Sequence, residues 1–252
     1  MTPSLAPRRV ILPVIYGIAL LIAWEALAHS GAVSRLVLAG PLEIVVAGVR
    51  NWSELGFNAG VTLAQALIGA AIGNVAGLLV AICFVHWGFF RRAVFPLAIL
   101  CEAIPVVAIL PVLILWLGNG MAPKIFVAAF LSFFPMLVNA YRGLSNVDEE
   151  VRELLYSYSA TASQMLWKVR MPAAVPFMFT ALKLSACSSM IASLVAEWLA
   201  SERGLGFLVV YYGQSYRVAD IWSAAILSCL ISLGLYGITA ACERRALSRS
   251  SP

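Results

Sequence analysis

Apolar residues run almost unbroken along this chain, and the charges fall between the runs. Asp, Glu, Lys and Arg are absent from residues 55–90, 103–123, 125–141 and 221–242. Stretches of about 20 such residues are long enough to cross a hydrocarbon core as helices. The runs are continuous and do not alternate apolar with polar positions, which excludes barrel strands. The pattern predicts six spans, at about 10–29, 58–86, 93–117, 122–143, 172–199 and 220–241. Between them lie a tail at 1–9, an outer segment at 30–57, a polar loop at 144–171 and a final tail at 243–252. The N-terminal tail and the last ten residues are expected to be disordered.

Composition agrees with this all-α membrane fold. Hydrophobic residues make up 62% of the 252, charged residues only 12%, about half the share a soluble domain carries. The first run follows two arginines, as a signal peptide would. However, Trp24, Glu25 and His29 stand where a small-residue cleavage site belongs, so it reads as a retained helix. With residues 1–9 inside, the inner segments hold Arg8, Arg9, Arg91, Arg92, Arg142, Arg152, Lys168, Arg170, Arg244, Arg245 and Arg249. The outer ones hold Arg35, Arg50, Lys124, Arg203 and Arg217. The excess places both termini in the cytoplasm of a multi-pass plasma-membrane protein. The net charge of +5 thus follows from topology and calls for no nucleic acid.

Candidate chemistry is sparse. Five scattered cysteines form no C-x-x-C pair, so neither a disulfide framework nor a zinc site is indicated. His29 and His86 fall at span edges, and no nucleophile–base pair stands out. Small residues recur at helical spacing: Gly69, Gly73 and Gly77 in the second span, and Ala181, Ser185, Ser189 and Ser193 in the fifth. Either stripe suits close helix packing, and the serines also suit a polar path. Pro96, Pro105, Pro111 and Pro135 are expected to break the third and fourth spans. Glu102, Lys183 and Glu197 are charges inside spans, where they are expensive. Lys183 either snorkels to the interface or pairs with Glu102. Glu197 either reaches water, gates the outer end or meets an arriving protein.

The 144–171 loop is the longest polar insertion. Ser145 with Asp148, then Glu149 and Glu150, mark a helix start that runs to about Tyr158. Thr161 and Gln164 form a second capping box for a helix over 162–169, and Pro172 opens the next span. Two short helices with a bend at 159–161 make a protruding knob. Leu154, Leu155, Tyr156 and Met165 would give it an apolar docking surface.

This loop resembles the EAA loop of ABC importer permeases: Glu-Ala-Ala, three residues, Gly, nine residues, Ile-x-Leu-Pro. Anchored on Pro172, the pattern places Glu on Glu153, the alanines on Leu154 and Leu155, Gly on Ser159, Ile on Val169 and Leu on Met171. The spacing is kept while the alanines and the glycine are not. Ile104-Pro105, Ala108, Pro111, Trp116, Gly118, Phe134-Pro135, Asn139, Ala196-Glu197 and Gly204-Leu205-Gly206 resemble further signatures of the nitrate/sulfonate/taurine permease family. The resemblance covers about residues 36–242 and implies a type I importer permease. It further implies a paired or homodimeric permease, two cytoplasmic ABC ATPases, an extracytoplasmic binding protein, and an ATPase contact around Glu153 and the 159–161 bend (Ser159, Ala160, Thr161). The implied cargo is a small anion such as nitrate, taurine or a sulfonate, or a pyrimidine or vitamin precursor.

None of the three lysines sits in G-x-x-x-x-G-K-[ST], so the chain is expected to bind no cofactor. ATP and Mg would be held by the partner ATPase. Glu102, Pro105, Asn139, Lys183, Ser185, Ser189 and Glu197 are the pathway or gate candidates. The rival class is an ion-coupled secondary transporter with those charges as its coupling site, but the internal repeat common in that class is not visible.

Overall fold

The computed structural model describes residues 6–34 and 36–248, with side chains from residue 12 onward. The side chains of Arg8 and Arg9, together with Arg35, Arg249 and the ends 1–5 and 249–252, lie outside the described residues. The described residues form helices α1 (Ala6–His29), α2 (Pro41–Arg50), α3 (Trp52–His86), α4 (Gly88–Glu102), α5 (Val106–Leu117) and α6 (Ala122–Ser145). These are followed by α7 (Glu149–Ser157), α8 (Ala162–Met165), one π-turn (Leu166–Arg170), α9 (Met171–Leu199), α10 (Leu205–Gln214) and α11 (Val218–Ser248). Five stretches are long and apolar enough to cross a membrane, and α4 with α5 makes a sixth only as a bent pair.

Three helices form the centre. The glycine stripe of α3 faces α6, and a side chain there has no room. A Cβ on Gly69 would lie 2.8 Å from the Ile125 carbonyl oxygen, and one on Gly77 would lie 2.6 Å from that of Phe133. Lipid gives helices no hydrophobic drive to associate, so this backbone proximity and its dispersion contacts hold the pair together. α9 packs into the same groove, where a Cβ on Gly143 of α6 would meet the backbone of Ala174. Phe84, Met136, Leu137, Leu144 and Leu166 fill one end of this core, and Leu55, Leu205, Leu208 and Tyr212 fill the other.

The central elements exceed their expected limits, and two further helices appear. α3 begins at Trp52, about one and a half turns before the predicted residue 58. α1 begins at Ala6 and α11 stays helical through Ser248, which corrects the disorder expected of the tails over residues 6–9 and 243–248. α2 and α10 arise in segments assigned to no helix. The third predicted span is not one rod, because α4 and α5 meet at 98° across Ala103–Pro105. Pro105 lacks an N–H and steers Ile104 out of helical geometry, so α5 starts afresh behind it. Pro96, Pro111 and Pro135 stay inside their helices, so of the four expected breaks only the one at Pro105 occurs.

α1 leans on the bundle at one end only. The Trp24 indole donates to the Ala39 carbonyl at 3.1 Å and meets Trp222 edge-on, while Glu25 accepts the Leu42 amide at 3.2 Å. The residues that argue against a cleavage site therefore secure this helix.

Candidate functional site

The knob lies at one end of the bundle, between α6 and α9. α7 starts at Asp148, whose backbone carbonyl accepts the Arg152 amide at 3.1 Å. Its side chain makes no cap bond, so the cap expected from Ser145 and Asp148 does not form. Ser145 instead completes α6. α7 ends in a left-handed turn. Ser159 has φ 54°, its amide donates to Tyr156, and the Ala160 amide donates to Leu155. That pair of bonds is the Schellman closure of a helix, and serine occupies the place where glycine is commonest. At Thr161 the expected capping box is complete, since Gln164 N–H donates to Thr161 Oγ1 at 3.3 Å and Thr161 N–H to Gln164 Oε1 at 2.8 Å.

Beyond this cap the chain does not pause at Pro172. α8, the π-turn and α9 form one continuous 38-residue helical stretch, Ala162–Leu199. Pro172 lies inside this stretch, two residues after the π-turn, and the chain stays helical through it. The second helix of the knob is therefore the beginning of the rod that runs through the bundle centre.

The knob's exposed apolar surface differs from the expected one. Leu154, Tyr156 and Tyr158 are 55%, 68% and 76% exposed, while Met165 is buried at 7%. Met165 belongs to the junction with the bundle and is removed from the docking surface. Leu155 and Val169 are half-buried, and Glu153, Thr161 and Pro172 are exposed.

Along the α3–α9 contact runs a seam of polar side chains. Ser185 Oγ donates to Asn74 Oδ1 at 2.8 Å. Ser185, Ser189 and Ser193 are all buried between helices, so in this chain the serine stripe forms an inner contact. Near the opposite end from the knob, the Thr62 hydroxyl donates to the Glu197 carboxylate at 2.9 Å and the Gly206 amide donates to it at 2.8 Å. The Leu205 amide donates to Thr62 and the Gly204 amide to Asn58. A carboxylate at the start of α10 also complements the helix dipole. Glycine is required twice: Gly204 has φ 108°, and Cβ atoms on Gly204 or Gly206 would run into Glu197. Glu197 is 1% exposed, which corrects its reading as a residue that reaches water. Lys124, counted among the outer-loop charges, is also buried and donates to Gly120 O at 2.9 Å, closing the α5–α6 turn.

The proposed Glu102–Lys183 pair is absent. Lys183 Nζ lies 2.7 Å from Glu243 of α11, and Glu102 is exposed beside Pro105 at the α4–α5 bend. Asn139 bonds back to the Pro135 carbonyl within α6. The knob residues therefore come together, whereas the pathway candidates divide between seam, bend and end. At the end opposite the knob, Asp220 receives Arg217 at 2.8 Å and also bonds Asn51, and Tyr212 donates to Glu54 at 2.8 Å. Burial, reinforced by Glu54, pushes the Tyr212 phenol well above its ordinary pKa, so it remains a donor.

Sequence reasoning missed Asn58, Gln65, Asn74 and Ser132 of the seam. The signal of the first two was available, because 58, 62, 65, 69, 73 and 77 lie on one helical face.

The comparisons with known proteins fit this geometry. Residues 73–248 match the family model described as binding-protein-dependent transport system inner membrane component. The formylaminopyrimidine transport permease protein ThiX of Halalkalibacterium halodurans is 32% identical over 77% of this chain and 78% of its own. The riboflavin transport system permease protein RibX of Chloroflexus aurantiacus is 30% identical over 89% and 85%. A solved structure of the MetNI methionine ABC transporter, in an inward-facing conformation, superposes with a TM-score of 0.62 at 17% identity. The match covers 77% of this chain and 94% of that one.

Proposed function

Since the chain belongs to the family of binding-protein-dependent transport system inner membrane components, we propose that its knob is the joint through which a partner ATPase moves the bundle. The chain is a non-catalytic transmembrane subunit of a type I ABC importer, in a family that works with ATPases and binding proteins. That membership replaces the ion-coupled reading. The observation that carries the proposal is the unbroken helix from Ala162 to Leu199. A push on the knob travels along a rod of about 57 Å at 1.5 Å per residue to the Glu197 anchor and α10. The exposed apolar group Leu154, Tyr156 and Tyr158 supplies a surface that gains from burial in an ATPase cleft. Glu153 adds a polar contact there, and Ser159, Ala160 and Thr161 fix the angle. On this reading the knob end faces the cytoplasm, two permease chains pair around the passage, and ATP and Mg belong to the ATPase. The seam residues Ser185 and Ser189 lie along the rod, and Pro105 and Glu102 lie at a bend able to open.

A cysteine test addresses the joint. With Cys83, Cys101, Cys187, Cys229 and Cys242 replaced, Tyr158→Cys should crosslink to the co-expressed ATPase. A cysteine at Gly213, near the opposite end, should not. Equal crosslinking from both positions, or none from Tyr158, would refute the joint.

For cargo we propose a small heteroaromatic solute of the pyrimidine or vitamin-precursor class, supported by the two relatives of 30% identity or more named above. Small anions such as taurine or nitrate, implied by the sequence resemblance, are the second class. Competition for ATP-dependent uptake between a formylaminopyrimidine and taurine separates the two.

A further inference from the structure

We propose that the cleft between the knob and the end of α3 binds the phosphate of an anionic phospholipid headgroup. The cleft has a volume of about 230 Å³ and opens between His86 on α3, Tyr156 and Ala162 on the knob, and Arg170 ahead of α9. Its depth in the membrane indicates the ligand. His86 ends one membrane-crossing helix, and Arg170 lies in the π-turn of the other, ahead of the 29 residues of α9. Both stand where hydrocarbon gives way to headgroups. Trp87 and Phe89, which follow His86, are 63% and 87% exposed, the aromatic dress of an interface.

The chemistry of the lining indicates phosphate. The Arg170 guanidinium offers a planar fork of donors that matches two phosphate oxygens. His86 Nδ1 lies 3.0 Å from the Ile82 carbonyl, so it is the natural N–H donor there and Nε2 is left for the cleft. The Tyr156 hydroxyl can give a second donor. No carboxylate lines the cleft. Basic pockets between membrane helices are recurrent headgroup sites. Here one wall belongs to the knob and the other to the bundle, so a bound headgroup braces the joint between them. The proposal stands on the cleft itself and needs neither the ATPase nor the cargo reading.

Native mass spectrometry of the full-length chain, delipidated in a neutral detergent, tests this. The probes are phosphatidylglycerol, phosphatidylcholine and inorganic phosphate. The wild-type chain should retain phosphatidylglycerol over phosphatidylcholine by at least about fivefold, as one basic contact gives at a membrane surface. Arg170→Gln with His86→Gln should erase the preference while phosphatidylcholine retention, which reports folding, stays unchanged. Ala162→Phe keeps every charge but fills the cleft, and it should erase the preference too. Arg92→Gln removes an exposed charge that does not line the cleft, and it should leave the preference intact. The proposal is overturned if Ala162→Phe keeps the wild-type preference or if Arg92→Gln abolishes it. It is equally overturned if millimolar inorganic phosphate displaces the lipid, which would make the ligand a free anion.

Discussion

Ser159 holds a left-handed backbone conformation that disfavours any residue with a Cβ. The two closing bonds of the turn and the capping box directly after it hold the residue there. Ser159→Gly should therefore leave the knob intact and raise stability by up to about 1 kcal/mol. Ser159→Val, with a branched Cβ, should lower it by about 1–3 kcal/mol. Thermal unfolding of the two purified variants checks the order, and a Val variant as stable as the Gly one would contradict it. Glu197 presents the opposite case, a position that nothing local explains. Its carboxylate takes bonds from Thr62 and Gly206 at once, so Glu197→Gln leaves a buried partner poorly matched. The same assay should show a loss of about 1–3 kcal/mol. Gly204→Ala should do worse, since its φ and its space both demand glycine.

At the scale of elements, most features set by near neighbours were legible in the sequence, and features set by distant ones were not. The exceptions among the near ones are the Ser145–Asp148 cap and the breaks at Pro96, Pro111 and Pro135. The Gly69–Gly77 stripe, the Thr161–Gln164 box and the 159–161 bend each depend on residues within a few turns. Each appears in the fold as its spacing foretells. Glu197 finds Thr62 across 135 positions, and Lys183 finds Glu243 across 60. A single sequence contains no sign of such partners, so Lys183 is expected there to snorkel or to pair with Glu102, an in-span carboxylate towards the same side. α10 was overlooked because its ten residues after Gly204 are too few for a span and carry no polar cap of their own. Its cap comes from α3 and α9. The correction can be tested with a double-mutant cycle. Lys183→Met and Glu243→Gln should each destabilise the protein, and the pair should show a coupling of about 0.5–3 kcal/mol. Glu102→Gln combined with Lys183→Met should be additive, and coupling there with none at Glu243 would restore the discarded pair.

For the whole molecule, the account depends on which end faces the cytoplasm and on whether the rod carries the stroke. A reporter active only in the cytoplasm should respond when fused after Arg92, Ser159 or Arg245, and should stay silent after Gly56, Asn119 or Gly213. The excess of basic residues at the knob end motivates this orientation. The rod is tested most directly by softening it where it leaves the knob, away from the exposed docking residues. Lys168→Gly with Val169→Gly places two flexible residues in the π-turn, at about 1 kcal/mol each in helix stability. The full importer, reconstituted with its ATPase and binding protein, then gives two readings, ATP hydrolysed and solute taken up. If the helix from Ala162 to Leu199 is the coupling rod, hydrolysis should stay within about twofold of wild type while uptake falls at least about tenfold, a difference in coupling of about 1.4 kcal/mol. An unchanged ratio of solute transported to ATP hydrolysed would contradict the account.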